Sequence, residues 1–307
     1  MPASIGRVFF SKGVIIPFLK FRMLRHGYLH SPVYWRDIDR DGLKGIWITT
    51  DETKEPDIIV YYCHVSYLGG GFSMGSSHFY LEFLLAWVTL LREEGFHNPA
   101  LFALEYTLVP DAVYPTQLQQ TIAGYNHVLS IVGNPSRVCV GGDSAGATLI
   151  LSLLLHLGNM TDYDQHLPGY ATLISPWVTL VSPKNRDTAS DYLNADSLHL
   201  YARQYVGSKI SLNDPIASPG HCTDIDWWQR AMPSNGLSIL FGGEEVFGPD
   251  TLDLIAMLEK TGAFIDVREE RGSIHAWPVA RLFLGDSKAE RQKGLAEIVE
   301  VIHERMG

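Results

Sequence analysis

Short apolar runs alternate with longer helical patterns along most of the chain. The runs are rich in β-branched and aromatic residues, and several are almost continuously apolar, as in parallel strands covered on both faces. This alternation predicts an α/β fold with a mostly parallel central sheet, right-handed crossovers and helices on both faces. The predicted strands are 58–63, 101–106, 137–141, 171–174, 238–241 and 263–267. The predicted helices are 76–94, 114–132, 145–157, 249–261 and 288–305.

Two regions break this alternation. Residues 1–50 are apolar and irregular, and residues 183–235 form a long interval with several Tyr and Trp side chains but no clear strand. A long interval of this kind inside a compact domain is usually functional. No repeat, low-complexity tract or Gly/Ser linker divides the 307 residues. We therefore expect a single domain, 1–307, in which both regions contribute to a cap over a functional site.

The charge composition argues against several classes of partner. The chain has 24 basic and 34 acidic residues, hence a net charge of −10 with neutral histidines. Nucleic acids and anionic membranes attract basic patches, so we expect no nucleic-acid partner. The apolar stretch at 13–19 is too short to span a bilayer. Stable membrane insertion is therefore not expected, and peripheral association with a membrane is left as an alternative.

The cysteine content points to a reducing compartment. Cys63, Cys139 and Cys222 are widely spaced and odd in number. They form neither a disulfide framework nor the Cys/His clusters of zinc sites. We therefore expect a cytoplasmic protein, and no metal, nucleotide or flavin motif suggests a cofactor.

The most informative motif is Gly-Asp-Ser-Ala-Gly at 142–146. It follows an apolar strand and opens a helix, which is the context of a G-x-S-x-G nucleophile elbow. The nucleophile must sit on a sharp, strained turn, so its neighbours in space need to lack side chains. The helix after Ser144 points its N-terminus at the reacting centre and favours negative charge there. The motif predicts that Ser144 is a catalytic nucleophile.

When a serine nucleophile attacks an ester carbonyl, a tetrahedral oxyanion forms, and backbone N–H donors must stabilise it. Ala145, the residue after the nucleophile, should supply one of them. The other donors should come from a glycine-rich loop after an earlier strand, and Gly-Gly-Gly-Phe at 69–72 follows the predicted strand 58–63. The sequence therefore predicts an oxyanion hole between this loop and the nucleophile elbow.

These motifs resemble the hormone-sensitive-lipase-like branch of the α/β-hydrolases, which carries a His-Gly-Gly-Gly loop and a Gly-Asp-Ser-Ala-Gly elbow. The resemblance covers about residues 57–303, and the segment Phe-Ser-Met-Gly-Ser at 72–76 is similar to fungal esterases of the steryl-acetyl-hydrolase type. It implies an α/β-hydrolase fold with a helical cap. Further matching segments are Tyr-Thr-Leu-Val-Pro-Asp at 106–111 with a proline at 115, Ser-Pro-Trp at 175–177 and Ala-Ser-Pro at 217–219.

One departure from the family pattern concerns the glycine loop. The family's histidine adjoins its glycines, whereas residues 65–68 separate His64 from Gly69 in this chain. Aligned by the glycines, Gly70 and Gly71 would supply the oxyanion donors. The four extra residues either bulge outward, displace the loop or reflect an erroneous exon boundary.

The base and the acid should follow the serine in the order acid, then histidine. His275 lies in a loop after the predicted strand 263–267 and before a terminal helix. An imidazole suits the role because it accepts and returns a proton near neutral pH. For the acid, the resemblance favours Glu245, in the loop after the strand 238–241, with Glu244 and Asp250 as alternatives.

Together these residues predict a serine hydrolase that cleaves a small to medium apolar ester through an acyl-enzyme. Two other functions stay open. The first is a biosynthetic enzyme that uses the same site for condensation, cyclisation or deacylation of one substrate. The second is a non-catalytic ligand-binding protein on the same scaffold. A homodimer is compatible with the sequence, which does not decide the oligomeric state.

Overall fold

The computed structural model describes residues 12–26, 34–64, 72, 77–208 and 210–307. Its strands are β1 (Tyr34–Arg40), β2 (Leu43–Thr49), β3 (Ile59–Cys63), β4 (Ala100–Leu104), β5 (Val138–Asp143), β6 (Tyr170–Ile174), β7 (Leu237–Gly242) and β8 (Ile265–Glu270). Its α-helices are α1 (Lys12–His26), α2 (Leu81–Glu93), α3 (Thr116–Val132), α4 (Ala145–Leu157), α5 (Ala195–Val206), α6 (Ile225–Ala231), α7 (Gly248–Leu258), α8 (Trp277–Leu284) and α9 (Lys288–Met306).

The eight strands form one sheet in the order β1–β2–β4–β3–β5–β6–β7–β8. The six strands β3 to β8 are parallel to one another. By contrast, β2 runs antiparallel to β4, and β1 runs antiparallel to β2. The carboxyl ends of the parallel strands therefore meet at one edge of the sheet, where ligands bind in open α/β sheets. The predicted α/β architecture with a mostly parallel sheet is confirmed.

Helices cover both faces of the sheet. Alternate residues of the strands enter two apolar cores, so that Tyr61 of β3 packs in one core and Tyr62 in the other. The first core lies between the sheet and a layer made of α3, α4, α5, α6 and α7. The second lies between the sheet and a layer made of α1, α2, α8 and α9. A sheet buried on both faces explains why its central strands are nearly continuous apolar runs.

All six predicted strands exist, as β3 to β8, with ends shifted by up to three residues. The prediction that residues 1–50 contribute to a cap is wrong for residues 34–49, which form β1 and β2. These are the first two strands in the order of the sheet. The two strands are joined by a tight turn in which Asp41 and Gly42 have positive φ angles of 54° and 80°. An Asp-Gly turn of this type is a hairpin signal. The charged, largely exposed sequence of β1 concealed it.

The interval 183–235 divides into two parts. Residues 191–206 lie on the side of the molecule that carries Phe72 and the His275 loop, where Tyr205 accepts a backbone hydrogen bond from Tyr114 and stacks on Phe72. The part that forms α6 packs elsewhere, because Arg230 donates to the carbonyl of Gly158. That carbonyl lies just past the end of α4, about 20 Å along the helix from its start.

Candidate active site

Ser144 lies in a strained turn between β5 and α4. Its φ and ψ angles are 54° and −120°, in a region that residues with a side chain rarely adopt. The two flanking glycines permit this turn through close backbone contacts. A Cβ atom on Gly142 would stand 2.6 Å from the carbonyl carbon of Gly146, and one on Gly146 would collide with the carbonyl oxygen of Cys63. The motif therefore forms a strained strand-to-helix turn packed against the end of β3, which is the geometry of the predicted elbow.

The backbone of Ser144 is fixed by the neighbouring strand β6. Its N–H donates to the carbonyl of Ile174 at 2.9 Å, and its carbonyl accepts from the N–H of Trp177 at 3.1 Å. The residue is 5% exposed, so its surroundings are largely dry. Ala145 follows as the first residue of α4, and N–H groups in the first turn of a helix have no intrahelical acceptor. The N–H of Ala145 thus has the position expected of an oxyanion donor.

The carboxylate of Asp143, next to Ser144, is held by two tyrosines. The Tyr62 hydroxyl donates to one oxygen of Asp143 at 2.8 Å, and the Tyr80 hydroxyl donates to the other at 2.7 Å. Tyr62 belongs to β3, whereas Tyr80 immediately precedes α2. The chain between these two tyrosines is the segment that carries the glycines. The residues on either side of this segment, Tyr62 and Tyr80, are therefore both hydrogen-bonded to Asp143, which directly precedes Ser144.

Gly70, Gly71 and residues 65–68 lie outside the described residues. Phe72, directly after the glycines, is described and fully buried. Its carbonyl accepts from the N–H of Val109 at 3.0 Å, and its ring stacks on Tyr205 of α5 with 3.6 Å between ring centroids. Phe72 is thus attached both to the body of the protein and to α5.

His275 lies in the loop between β8 and α8, at the same edge of the sheet as Ser144. The next residue, Ala276, is left-handed, with φ and ψ angles of 50° and 40°, and its N–H donates to the Ser175 hydroxyl at 2.9 Å. Ser175 directly follows Ile174, whose carbonyl holds the N–H of Ser144. The loops of Ser144 and His275 are therefore both attached to the end of β6.

Glu245 is the carboxylate that stands beside His275. One of its oxygens is 3.6 Å from His275 Nδ1, and both side chains are almost completely buried. Burial raises the pKa of Glu245, while His275, the Ser175 hydroxyl and the N–H of Gly242 oppose the rise. The distance is longer than a good hydrogen bond, as is common for catalytic pairs before substrate binds. A buried carboxylate at Nδ1 can orient an imidazole and stabilise its protonated form.

The two alternative acids are placed differently. Glu244 is exposed, and its backbone N–H donates to the carbonyl of Ser273. Asp250 is buried near the start of α7, and the Ser182 hydroxyl donates to its carboxylate at 2.9 Å. Neither carboxylate forms an ion pair with a histidine in the part of the chain that the structure describes. Among the three candidates, the geometry therefore favours Glu245.

Asp191 joins the acid loop to the histidine loop, and sequence reasoning missed it. One carboxylate oxygen accepts from the N–H of Val246 at 2.9 Å, and the other accepts from the N–H of His275 at 3.4 Å. The neighbouring Tyr192 donates its hydroxyl to the carbonyl of His275 at 3.4 Å. The aromatic content of the 183–235 interval was a signal for Tyr192, whereas no motif marks Asp191. This segment sets the separation of the acid and histidine loops.

A row of aromatic rings connects α5 with the imidazole. The ring of Phe72, which stacks on Tyr205, lies next to the ring of Trp177, with 5.9 Å between their centroids. Trp177 in turn lies next to Phe247, with 5.7 Å between their centroids. Phe247 then meets the His275 ring edge-on at 5.1 Å. Aromatic pairs at such separations are stabilising and confine the rings. The His275 ring is thus positioned by packing as well as by its contact with Glu245.

Comparison with known families agrees with this fold. A family model described as the alpha/beta hydrolase fold matches residues 61–279, which is more than half of the chain. The chain therefore belongs to the α/β-hydrolase fold family. This confirms the family predicted from the elbow and from the order of the other motifs along the chain.

The similar proteins are named as hydrolases of esters. An acetyl-hydrolase of Streptomyces hygroscopicus is 30% identical over 68% of this chain and 66% of its own length. The putative steryl acetyl hydrolase mug81 of Schizosaccharomyces pombe is 25% identical over 80% of this chain and 67% of its own length. The matches thus span about two thirds of either relative. The crystal structure of an esterase from the bacterial hormone-sensitive lipase (HSL) family superimposes with a TM-score of 0.74 at 23% identity, covering 90% of this chain and 86% of that one.

Proposed function

We propose that this protein is a serine carboxylic-ester hydrolase that acts through Ser144, His275 and Glu245. The observation that carries the proposal is the pairing of a left-handed Ser144 at the elbow with a buried Glu245–His275 pair at the same edge of the sheet. The names of the relatives, which include acetyl-hydrolases and steryl acetyl hydrolases, support the same class of reaction.

In the proposed reaction, the Ser144 hydroxyl attacks the ester carbonyl while His275 takes up its proton. The tetrahedral intermediate collapses when the C–O bond to the alcohol breaks, and His275 returns the proton to the departing oxygen. Water then attacks the acyl-enzyme with His275 again as the base, which releases the acid and restores Ser144. Glu245 holds the imidazole orientation and stabilises its positive charge in both steps. No cofactor takes part in this scheme.

We assign the oxyanion to N–H donors of Ala145, Gly70 and Gly71. Ala145 supports this assignment as the first residue of the helix behind Ser144. The glycines are assigned from the family pattern, and the fixed position of Phe72 directly after them is compatible with a preorganised loop. Preorganised donors of this type are often the largest single contribution to the rate of acyl transfer.

Replacing Tyr80 with phenylalanine should separate one end of the glycine segment from Asp143. We expect kcat to fall about tenfold with little change in KM, less than the 10²–10³ that loss of an oxyanion donor costs. Tyr61→Phe is the matched control, because its hydroxyl is equally buried but donates to the Thr121 carbonyl on the other face of the sheet. Steady-state kinetics per folded enzyme check this. Equal losses of kcat in both variants would contradict a specific role for Tyr80.

A panel of p-nitrophenyl esters from acetyl to decanoyl tests the substrate class. We expect turnover of the short esters, because the relatives are named for removal of acetyl groups and the site requires only an accessible ester carbonyl. The alternative, a biosynthetic enzyme for one elaborate substrate, is compatible with the four extra residues before Gly69. That alternative predicts no turnover of any simple ester by a folded protein, as judged by circular dichroism.

The remaining predictions concern organisation and location. We propose that residues 1–307 form one domain and that α5, with the segment at 191–192, belongs to its cap. In the part of the chain that the structure describes, no helix is long and apolar enough to cross a membrane. The cytoplasmic location and the homodimer stay predictions from sequence.

A further inference from the structure

Helix α1 presents an apolar face to solvent. Four large side chains on it are about half exposed or more, namely Val14 at 46%, Phe18 at 53%, Phe21 at 67% and Leu24 at 54%. The first three follow the i, i+4, i+7 spacing of one helical face, and Leu24 continues it one turn further. Pro17, on the same side, is also exposed. Exposed apolar stripes of this size mark interaction surfaces more often than scattered surface residues do.

The opposite face of α1 is firmly packed, so the exposure does not result from a detached helix. Leu19 and Met23 are buried in the second core. Arg22 donates to the buried carboxylate of Glu82 at 2.8 Å and to the carbonyl of Leu282 at 2.8 Å. These contacts join α1 to α2 and α8, and they fix the direction in which the exposed stripe points. A helix that is apolar on both faces requires a second apolar environment.

The charge of α1 indicates which apolar environment covers its exposed face. The helix contains four Lys or Arg residues and no acidic residue, although the whole chain carries a net charge of −10. Lys20 and Arg25 are exposed beside the apolar stripe and form no ion pair with the described residues. Two copies of this face would bring like charges together. An anionic surface with an apolar interior matches both properties.

We propose that the exposed face of α1 binds the surface of a bilayer that contains anionic lipid. The helix, about 22 Å long by its 15 residues, would lie in the plane of the interface. Its phenylalanines would enter the boundary between headgroups and acyl chains, while Lys20 and Arg25 meet the lipid headgroups. This interaction is independent of the proposed ester hydrolysis, and the helix is too short to span the membrane.

The experiment is co-sedimentation of the full chain with vesicles of phosphatidylcholine alone and of phosphatidylcholine with 30% phosphatidylserine, roughly the anionic content that favours basic helices. We expect binding to the anionic vesicles and weak binding to the neutral ones. The double variant Phe18→Ser/Phe21→Ser should reduce the partition coefficient about tenfold or more, since the two aromatic side chains that enter the bilayer boundary in the proposal are lost. Lys20→Glu/Arg25→Glu should reduce it by a similar factor, because each basic residue contributes to attraction.

Leu252→Ser is the matched control. Leu252 is 52% exposed on α7, in the helix layer that covers the other face of the sheet, and its replacement should leave vesicle binding unchanged. Absence of binding to anionic vesicles by the folded protein would overturn the proposal, as would full binding by the Phe18→Ser/Phe21→Ser variant. Self-association that this variant abolishes, measured by analytical ultracentrifugation without any vesicle binding, would assign the face to a second copy instead.

Discussion

The Ser144→Ala variant should lose ester hydrolysis almost completely, with kcat reduced by about 10⁵-fold or more. Alanine removes the hydroxyl oxygen that forms the acyl-enzyme in the proposed reaction, while the backbone of the turn and the helix N-terminus stay in place. The residual rate should be that of water attack on a bound ester near the oxyanion donors. Initial rates on p-nitrophenyl acetate, with active-site titration of the wild type, measure this change.

Ser152→Ala is the control for this experiment. Ser152 lies on the same helix α4, is fully buried, and donates to the carbonyl of Thr148. Its replacement removes an equally buried hydroxyl at about 12 Å along the helix from Ser144, by the rise of 1.5 Å per residue. We expect its kcat to remain close to that of the wild type. Full activity of Ser144→Ala would exclude Ser144 as the nucleophile.

The Glu245→Gln variant should retain the fold and lose about 10⁴ in kcat, the size of effect expected when a triad carboxylate becomes an amide. Glutamine keeps the size of the side chain but no longer stabilises a protonated His275. The same change at Glu244, which is exposed, should leave kcat nearly unchanged. Kinetics of the two variants at pH 8 distinguish the neighbouring carboxylates. A larger loss from Glu244→Gln than from Glu245→Gln would reverse the assignment.

The raised pKa of Glu245 predicts how the activity depends on pH on the acidic side. A carboxyl whose pKa is raised takes up its proton at a higher pH than an exposed glutamate does. The negative charge beside His275 is therefore lost earlier as the pH falls. Activity that depends on this charge should decline on the acidic side before exposed carboxylates begin to titrate.

Much of the sheet could be predicted because its strands are buried on both faces. Strands such as β3 and β5 are continuous apolar runs that lead into loops rich in glycine, and the order of the motifs along the chain placed Ser144, Glu245 and His275 at one edge. β1 was missed because four of its seven residues are charged and the strand is largely exposed at the edge of the sheet. Its pairing with β2 depends on a turn rather than on an apolar pattern.

The supporting residues of the site were harder to predict because their contacts join distant parts of the chain. Asp191 holds two loops through backbone N–H groups, which any sequence provides. Tyr62 and Tyr80 converge on Asp143 only after β3 and α2 have packed together. Such contacts leave no periodicity or spacing that a single sequence would reveal. The proposed nucleophile and base could be inferred from local motifs, whereas the residues that position them could not.

Labelling with a fluorophosphonate probe measures the reactivity of Ser144 itself. The probe phosphonylates a serine only when an adjacent base and oxyanion donors activate it, so it reports on the assembled site without any choice of ester. After digestion and mass spectrometry, we predict a single stoichiometric adduct on Ser144 in the wild type and none in Ser144→Ala. A folded wild-type protein that stays unlabelled, or an adduct on another residue, would contradict the proposed serine-hydrolase mechanism.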